Sequence, residues 1–159
     1  MDLDSLPELQ LQLNELMPVI RERLADGNSV RFMPRGISML PMLRQGIDSV
    51  VLSAAPQELK KYDLPLYQRM DGKYILHRIV GRAGEYYVCV GDNQFRLELG
   101  VSRLQIVAVV TGFYRKNRYI SCDNLFYQIY CRIWHHTRKL RYYWRKAVSK
   151  VYRLLGVKK

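Results

Sequence analysis

Residues 64–80 read LPLYQRMDGKYILHRIV, and this segment indicates the fold class. Two strand-like runs, Leu64–Gln68 and Lys73–Val80, flank the dipeptide Asp71-Gly72, which is typical of a tight hairpin turn. We therefore predict an antiparallel β-hairpin at this point of the chain.

Further short strand-like runs, separated by Gly, Asp and Asn, lie on both sides of this hairpin. They are Val30–Phe32, Ser49–Leu52, Glu85–Val90, Ile106–Tyr114 and Tyr119–Ile120, with a second hairpin turn at Ala83-Gly84. This spacing leaves no room for the helical crossovers of parallel βαβ units. The predicted fold class is mainly β with flanking helices, built on a strongly curved antiparallel sheet or partial barrel.

Residues 1–28 have helical periodicity and are predicted to form an amphipathic helix that packs against the domain. Ser5 and Glu8 form a capping-box pattern, with Pro7 in the first turn. We expect the interior Pro18 to kink or split the helix. The apolar positions recur at steps of three and four, at Leu9, Leu13, Leu16, Ile20 and Leu24.

The C-terminal segment is strongly basic. Residues 1–114 contain 13 basic and 13 acidic side chains, whereas residues 115–159 contain 13 basic side chains and a single acid, Asp123, so the net charge of +12 lies in the last part of the chain. Residues 121–159 are predicted to form a basic tail of two helices joined at 135–137, which leaves 29–120 as the β domain. The apolar stripe of the second helix is Leu140, Tyr143, Trp144, Ala147, Val148, Val151, Tyr152 and Leu155.

Three uses of this tail fit the pattern. Its basic and aromatic side chains suit an anionic membrane surface. The same charge could follow a nucleic-acid backbone. Alternatively, the helices fold back, bury their aromatic stripe on the sheet and leave the basic face in water. The pattern favours the membrane surface or intramolecular packing over nucleic acid.

The sequence also bears on location and cofactors. The longest uncharged apolar run, Leu104 to Tyr114, is well short of the roughly 20 residues that span a bilayer, and the acidic N-terminus lacks the order of a signal peptide. We therefore expect a cytoplasmic protein that the tail could attach peripherally to a membrane. Because Cys89, Cys122 and Cys131 lack disulfide or metal-ligand spacing, we predict neither metal nor cofactor.

The segment Gly36-Ile37-Ser38-Met39-Leu40-Pro41 contains a candidate nucleophile. Ser38 follows the first predicted strand and precedes a proline, Pro41, that cannot continue a central strand, so it should lie in a loop. In such a loop the hydroxyl is exposed and neighbouring amides are unpaired, as a nucleophile and an oxyanion hole require.

Several segments, in this order, resemble the signal peptidase superfamily of serine peptidases. The sequence departs from the superfamily pattern at Ile47, which is an extra residue, and at Tyr62, which replaces a glycine. The matching segments are Gly36–Pro41 (Ser-Met-x-Pro nucleophile box), Leu43–Asp48 (Leu-x-x-Gly-Asp), Lys60–Tyr67 (Lys-x-Gly-Asp-x-Val), Tyr74–Val80 (second catalytic box), Gly91–Gln94 (third box) and Val107–Gly112 (closing strand).

The resemblance implies a Ser-His mechanism. Bacterial members carry a lysine before the arginine of the second box, whereas the archaeal and endoplasmic-reticulum branch carries histidine, and this chain has His77-Arg78. The nucleophile would be Ser38 and the general base His77, with Asp92 or Glu98 as the acid that orients the imidazole. Lys73, at even spacing on the same predicted strand, is an alternative base.

The resemblance also implies the surroundings of the site. Residues of the oxyanion and substrate region would be Gly36, Ile37, Met39 and Pro41, and residues that support the site would be Arg78, Gly91 and Asn93. Membrane signal peptidases carry a transmembrane helix where this chain has residues 1–28, so a peptide or protein precursor other than a secretory one becomes a plausible substrate. The implied function is a serine endopeptidase. The alternative is an inactive or self-cleaving relative that acts as a binding or regulatory module, with its tail on nucleic acid or an anionic membrane.

Overall fold

The computed structural model describes residues 7–154, and side chains within residues 13–153. This part of the chain is mixed α/β, with antiparallel sheets that are not closed into a barrel, so the predicted antiparallel sheet is present but the class is not mainly β. The helices are α1 (Pro7–Ala25), α2 (Leu125–His136) and α3 (Arg138–Leu154), with a short 3-10 helix at Arg103–Gln105. The strands are β1 (Val30–Phe32), β2 (Ser49–Ala54), β3 (Pro65–Gln68), β4 (Tyr74–Leu76), β5 (Arg78–Ala83), β6 (Tyr86–Val90), β7 (Glu98–Val101), β8 (Ile106–Arg115) and β9 (Arg118–Ser121).

The strands form two sheets. The larger has the order β1-β2-β8-β3-β4, with β9 also paired to β8, and the smaller has the order β5-β6-β7. All pairings are antiparallel, which confirms the prediction from strand spacing. Both predicted hairpin turns are confirmed, Asp71-Gly72 between β3 and β4 and Ala83-Gly84 between β5 and β6.

The predicted single strand Lys73–Val80 is wrong, because the chain changes sheets at His77. β4 ends at Leu76 on the larger sheet, and β5 begins at Arg78 on the smaller one. After His77 the chain has different hydrogen-bond partners, which hold it in the smaller sheet. Ile79 N donates to the Asp63 carbonyl at 2.9 Å, and Arg78 pairs with Val90 of β6. His77 therefore lies at the junction of the two sheets.

The helix α1 packs on the larger sheet through most of the predicted stripe, since Ile20 and Leu24 are buried and Leu13 packs against the core, but Met17 takes the place predicted for Leu16. It buries Met17, Ile20 and Leu24, whereas Leu16 is 52% exposed. The helix continues through Pro18 as one element, so the predicted split is wrong. The predicted capping residue Ser5 lies outside the described residues.

The tail helices form as predicted, with the joint at Thr137. α2 buries Tyr127 and Cys131 in the same core as α1 and the larger sheet. None of the described helices is both long enough and apolar enough to cross a bilayer.

Candidate active site

His77 is held at the sheet junction by contacts on one side of its ring. The side chain of His77 is buried, with 3% exposed. Its Nδ1 lies 3.3 Å from the Tyr67 hydroxyl and 3.4 Å from Glu98 Oε2. The Tyr67 hydroxyl donates its own proton to Glu98 Oε2 at 2.6 Å. Two oxygen lone pairs thus face Nδ1, and we assign the proton of the neutral imidazole to that nitrogen on the basis of these partners.

The other ring nitrogen faces the loop that contains Ser38. Among the described side chains, His77 Nε2 is one of few buried polar atoms without a hydrogen-bond partner. A Cβ atom built on Gly91 would lie 3.1 Å from His77 Nε2 and 2.7 Å from the Ser38 carbonyl oxygen. The imidazole and the Ser38 main chain therefore meet at the same glycine. Ser38 is half-buried and its hydroxyl is not hydrogen-bonded to Nε2, so catalysis would require the hydroxyl to rotate or shift towards that nitrogen.

The Ser38 loop is fixed from three directions. Gly36 has a φ of 97°, which favours glycine, and its amide donates to the Gln45 side chain at 3.0 Å. The side chain of Met39 points into the core instead of lining a substrate region. On the far side, Arg44 forms an ion pair of 2.8 Å with the buried Asp48, and this closes the loop.

Asn93 connects this loop to the third predicted box. The main-chain N–H of Asn93 donates to the Ser38 carbonyl at 2.8 Å, and its side-chain Nδ2 donates to the Ile37 carbonyl at 3.1 Å. In the described part of the chain, the amides of Ser38 and Met39 donate to no backbone carbonyl. These two amides therefore have no hydrogen-bond partner within the described residues, whereas Pro41 lies further along the loop after a cis peptide bond.

Asp92 and Arg78 form a buried ion pair beside the site. Arg78 Nε and Nη2 donate to the two oxygens of Asp92 at 2.8 and 2.7 Å, and Nη1 donates to the Tyr127 hydroxyl at 2.9 Å. Burial would lower the pKa of Arg78, but the charge of Asp92 keeps it well above its ordinary value. The Asp92 carboxylate thus binds Arg78, and the acid that contacts His77 is Glu98.

Glu98 is held in its charged form by its partners. Burial would raise the pKa of Glu98, but hydrogen bonds from Arg69, His77 and Tyr67 together lower it well below its ordinary value. Arg69 contributes the strongest of these, with two bonds of 2.6 Å to the two carboxylate oxygens. A fixed negative charge therefore lies beside Nδ1 of His77.

Tyr67 and Arg69 were not predicted as site residues. The predicted hairpin nevertheless contained a signal for Tyr67. Tyr67 pairs with Ile75 across this hairpin. Residue 77, two positions after Ile75, is therefore the diagonal cross-strand neighbour of Tyr67 on the same face of the sheet. Glu98 begins β7, a strand that the sequence pattern did not predict, and pairs with Cys89.

Lys73, the alternative base, lies in the turn before β4. Its ammonium group is 3.8 Å from Asp71 Oδ2, and its side chain is 41% exposed. Within the described residues, no group of three or more His, Cys, Asp and Glu side chains is arranged to hold a metal ion.

The comparisons with known proteins match no family model, no curated protein and no solved structure. The interpretation of the site therefore depends on its own geometry.

Proposed function

We propose that this protein is a serine endopeptidase of the signal peptidase type, with Ser38 as nucleophile, His77 as general base and Glu98 as the acid that orients the base. The observation that carries this proposal is the buried, unpartnered Nε2 of His77, which faces the Ser38 loop across Gly91. A buried nitrogen without a partner is costly for stability, and a catalytic role is one reason for a protein to retain such an atom.

The proposed mechanism uses the two ring nitrogens differently. Because Nδ1 carries the proton between Tyr67 and Glu98, Nε2 has the lone pair that accepts the Ser38 hydroxyl proton. The Ser38 oxygen then bonds to the substrate carbonyl carbon, and the carbonyl electron pair moves to its oxygen. The imidazolium that results is stabilised by the Glu98 carboxylate.

The later steps return the proton and release the product. The tetrahedral oxyanion accepts hydrogen bonds from the free amides of Ser38 and Met39. His77 Nε2 then donates its proton to the leaving amine as the C–N bond breaks, which leaves an ester on Ser38. Water attacks this ester with His77 again as base, so that serine is regenerated and the carboxylic acid product leaves.

The backbone at Tyr62 supports the resemblance to signal peptidases. Tyr62 has a φ of 80°, in the left-handed region that favours glycine, and it occupies the position where the superfamily pattern has glycine. Its carbonyl accepts a hydrogen bond of 3.1 Å from Arg78 Nη1, next to the site. The local backbone is thus the one that the motif would require, even though the residue type differs.

A peptide-library assay tests the proposal across many substrate sequences at once. The purified protein is incubated with a mixed-sequence peptide library and with candidate precursor peptides, and new termini are identified by mass spectrometry. We expect cleavage by the wild type and loss of cleavage in Ser38→Ala and His77→Ala. The matched controls Ser149→Ala and His136→Ala alter exposed residues of the tail helices and should retain activity. Cleavage that persists in folded Ser38→Ala would reject the proposal.

The alternative function, a non-enzymatic binding module, predicts a different result. A module of this kind shows no cleavage in the wild type, and its partner binding is the same in Ser38→Ala and His77→Ala.

A further inference from the structure

The inward side of α3 is cationic and aromatic. The Arg141 guanidinium stacks 3.6 Å over the Trp134 ring, and Arg145 Nη2 donates to Asn93 Oδ1 at 2.9 Å. Between them, the Tyr142 ring packs edge-on against Phe95 at 5.2 Å. Arg141 and Arg145 are four residues apart and lie on one helix face with Tyr142, so this face attaches α3 to the domain.

The apolar side of α3 therefore faces away from the domain. Leu140 is 69% exposed and Trp144 is 71% exposed. Tyr143 and Val151 are exposed as well. A helix that folded back to bury its aromatic stripe would show the reverse orientation, so that predicted use of the tail does not describe α3.

The exposed stripe continues along α2. Helical hydrogen bonds bracket the joint, from Thr137 N to the Ile133 carbonyl at 2.9 Å and from Arg141 N to the Thr137 carbonyl at 3.0 Å. Thr137 itself has φ −80° and ψ 0°, so α2 and α3 are separate helices, and the exposed apolar residues recur within each of them at steps of three, four and seven. We call this surface the apolar tail stripe; it comprises Phe126, Ile129, Ile133, Leu140, Trp144 and Val151.

Positive charge flanks the apolar tail stripe. α3 contains seven arginine and lysine residues and no acidic residue. Three exposed lysines, Lys139, Lys146 and Lys150, follow one edge of the stripe at steps of seven and four. A partner for this surface should be anionic, and a second copy of the same surface would be repelled.

We propose that the apolar tail stripe and its flanking lysines bind the surface of an anionic lipid bilayer. The stripe would enter the boundary between headgroups and acyl chains, and the lysines would lie among the anionic headgroups. A nucleic-acid surface fits less well, because the aliphatic side chains of Ile129, Ile133 and Leu140 provide no stacking platform for bases. Two of the cations that could follow a phosphate backbone, Arg141 and Arg145, already contact Trp134, Asp92 and Asn93.

Vesicle binding tests this proposal on the full chain. The protein is sedimented with vesicles of phosphatidylcholine and phosphatidylglycerol in equal parts, and with vesicles of phosphatidylcholine alone. We expect binding to the anionic vesicles that weakens as salt is added, with a blue shift in tryptophan emission as Trp144 enters the lipid. Absence of binding to anionic vesicles at low salt would overturn the proposal.

Two pairs of variants separate the apolar contribution from the charge. Leu140→Gln with Trp144→Gln should weaken binding at least about tenfold and abolish the emission shift, whereas the matched control Met70→Gln with Leu104→Gln, also highly exposed, should bind like the wild type. Lys139→Gln with Lys150→Gln should weaken binding about fivefold for each lysine.

The lysine variant and the competing interpretation, a nucleic-acid surface, each have a separate control. Lys60→Gln with Lys116→Gln removes two exposed lysines from the β domain and should leave binding unchanged. Equal losses in test and control variants would overturn the proposal. So would binding to a single-stranded oligonucleotide that is as tight as vesicle binding and insensitive to the loss of Leu140 and Trp144, since this would identify a nucleic-acid surface.

Discussion

Glu98 Oε2 lies 3.4 Å from His77 Nδ1, on the side of the imidazole away from the nitrogen that faces Gly91. The same carboxylate accepts two hydrogen bonds of 2.6 Å from Arg69, so its position is fixed by the residue that directly follows β3. The proposed mechanism assigns Glu98 the task of holding His77 in one tautomer and stabilising the imidazolium that forms.

Replacement of Glu98 should therefore impair catalysis. Glu98→Gln retains the size of the side chain but loses its charge, and the new amide group can offer a proton to Nδ1 and favour the wrong tautomer. We expect kcat to fall by about 10² to 10⁴-fold with a small change in KM. Glu85→Gln, in the exposed β5–β6 turn, serves as the matched control. Full activity of Glu98→Gln would remove Glu98 from the mechanism.

Replacement of Asp92 should reduce stability. Asp92→Asn leaves the fully buried Arg78 guanidinium without a counter-charge, and we expect a loss of about 3 kcal/mol in the free energy of unfolding, measured by urea denaturation. Asp71→Asn, whose carboxylate pairs with Lys73 at the surface, should cost less than about 1 kcal/mol. If both variants lose the same small amount, Arg78 and Asp92 do not stabilise the junction as described.

A methyl group at Gly91 should disrupt the site. In Gly91→Ala the new Cβ would lie 2.7 Å from the Ser38 carbonyl and 3.1 Å from His77 Nε2, so the loop and the imidazole must move apart. We expect loss of at least about 100-fold in kcat/KM, because small misplacements of reacting groups have effects of this size. Gly81→Ala is matched to it, since its Cβ meets nothing within 4 Å and Gly81 also lacks a positive φ. Equal activity in both variants would place the reaction elsewhere.

Glu98 should also make stability depend on acidity. Its pKa in the folded protein is below its ordinary value of about 4.3, so the unfolded chain binds this proton first as the pH falls. The stabilisation is thus fully present above about pH 5 and is lost as the pH falls through 4 towards the folded pKa. Urea denaturation at pH 6 and pH 3 should show a smaller loss of stability on acidification in Glu98→Gln than in the wild type. An identical loss in both proteins would contradict the ion pair with Arg69.

The fold was predictable where turn residues and strand spacing carry the information. Asp71-Gly72 and Ala83-Gly84 mark the turns of two hairpins, and the short spacing of the strand-like runs predicts their antiparallel pairing. The change of sheets at His77 was not predictable from residues 73–80, because both halves of that run are strand-like and only the pairing with β3 or β6 separates them. β7 is short and contains Gly100 at a φ of 80°, so its sequence lacks a strand pattern.

The sequence boxes predict which residues of the candidate site lie close together. Ser38, His77 and Gly91 meet because three loops converge at the sheet junction. The contributions of Tyr67 and Arg69 depend on the register of β3 against β4 and on the position of Glu98, which are tertiary properties. The outward orientation of Trp144 likewise follows from the attachment of α3 through Arg141 and its neighbours. Helical periodicity alone does not predict whether an apolar stripe faces the domain or the solvent.

The most direct test of the account is covalent labelling of Ser38. A peptidyl fluorophosphonate reacts with an activated serine by forming a bond between oxygen and phosphorus and releasing fluoride, and the modified residue is mapped by mass spectrometry. The account predicts labelling at Ser38 in the wild type at a rate that falls by at least about 100-fold in His77→Gln, with the circular dichroism spectrum unchanged. A folded wild-type protein that is not labelled at Ser38, or is labelled equally fast without His77, would contradict the assignment of Ser38 and His77 as nucleophile and base.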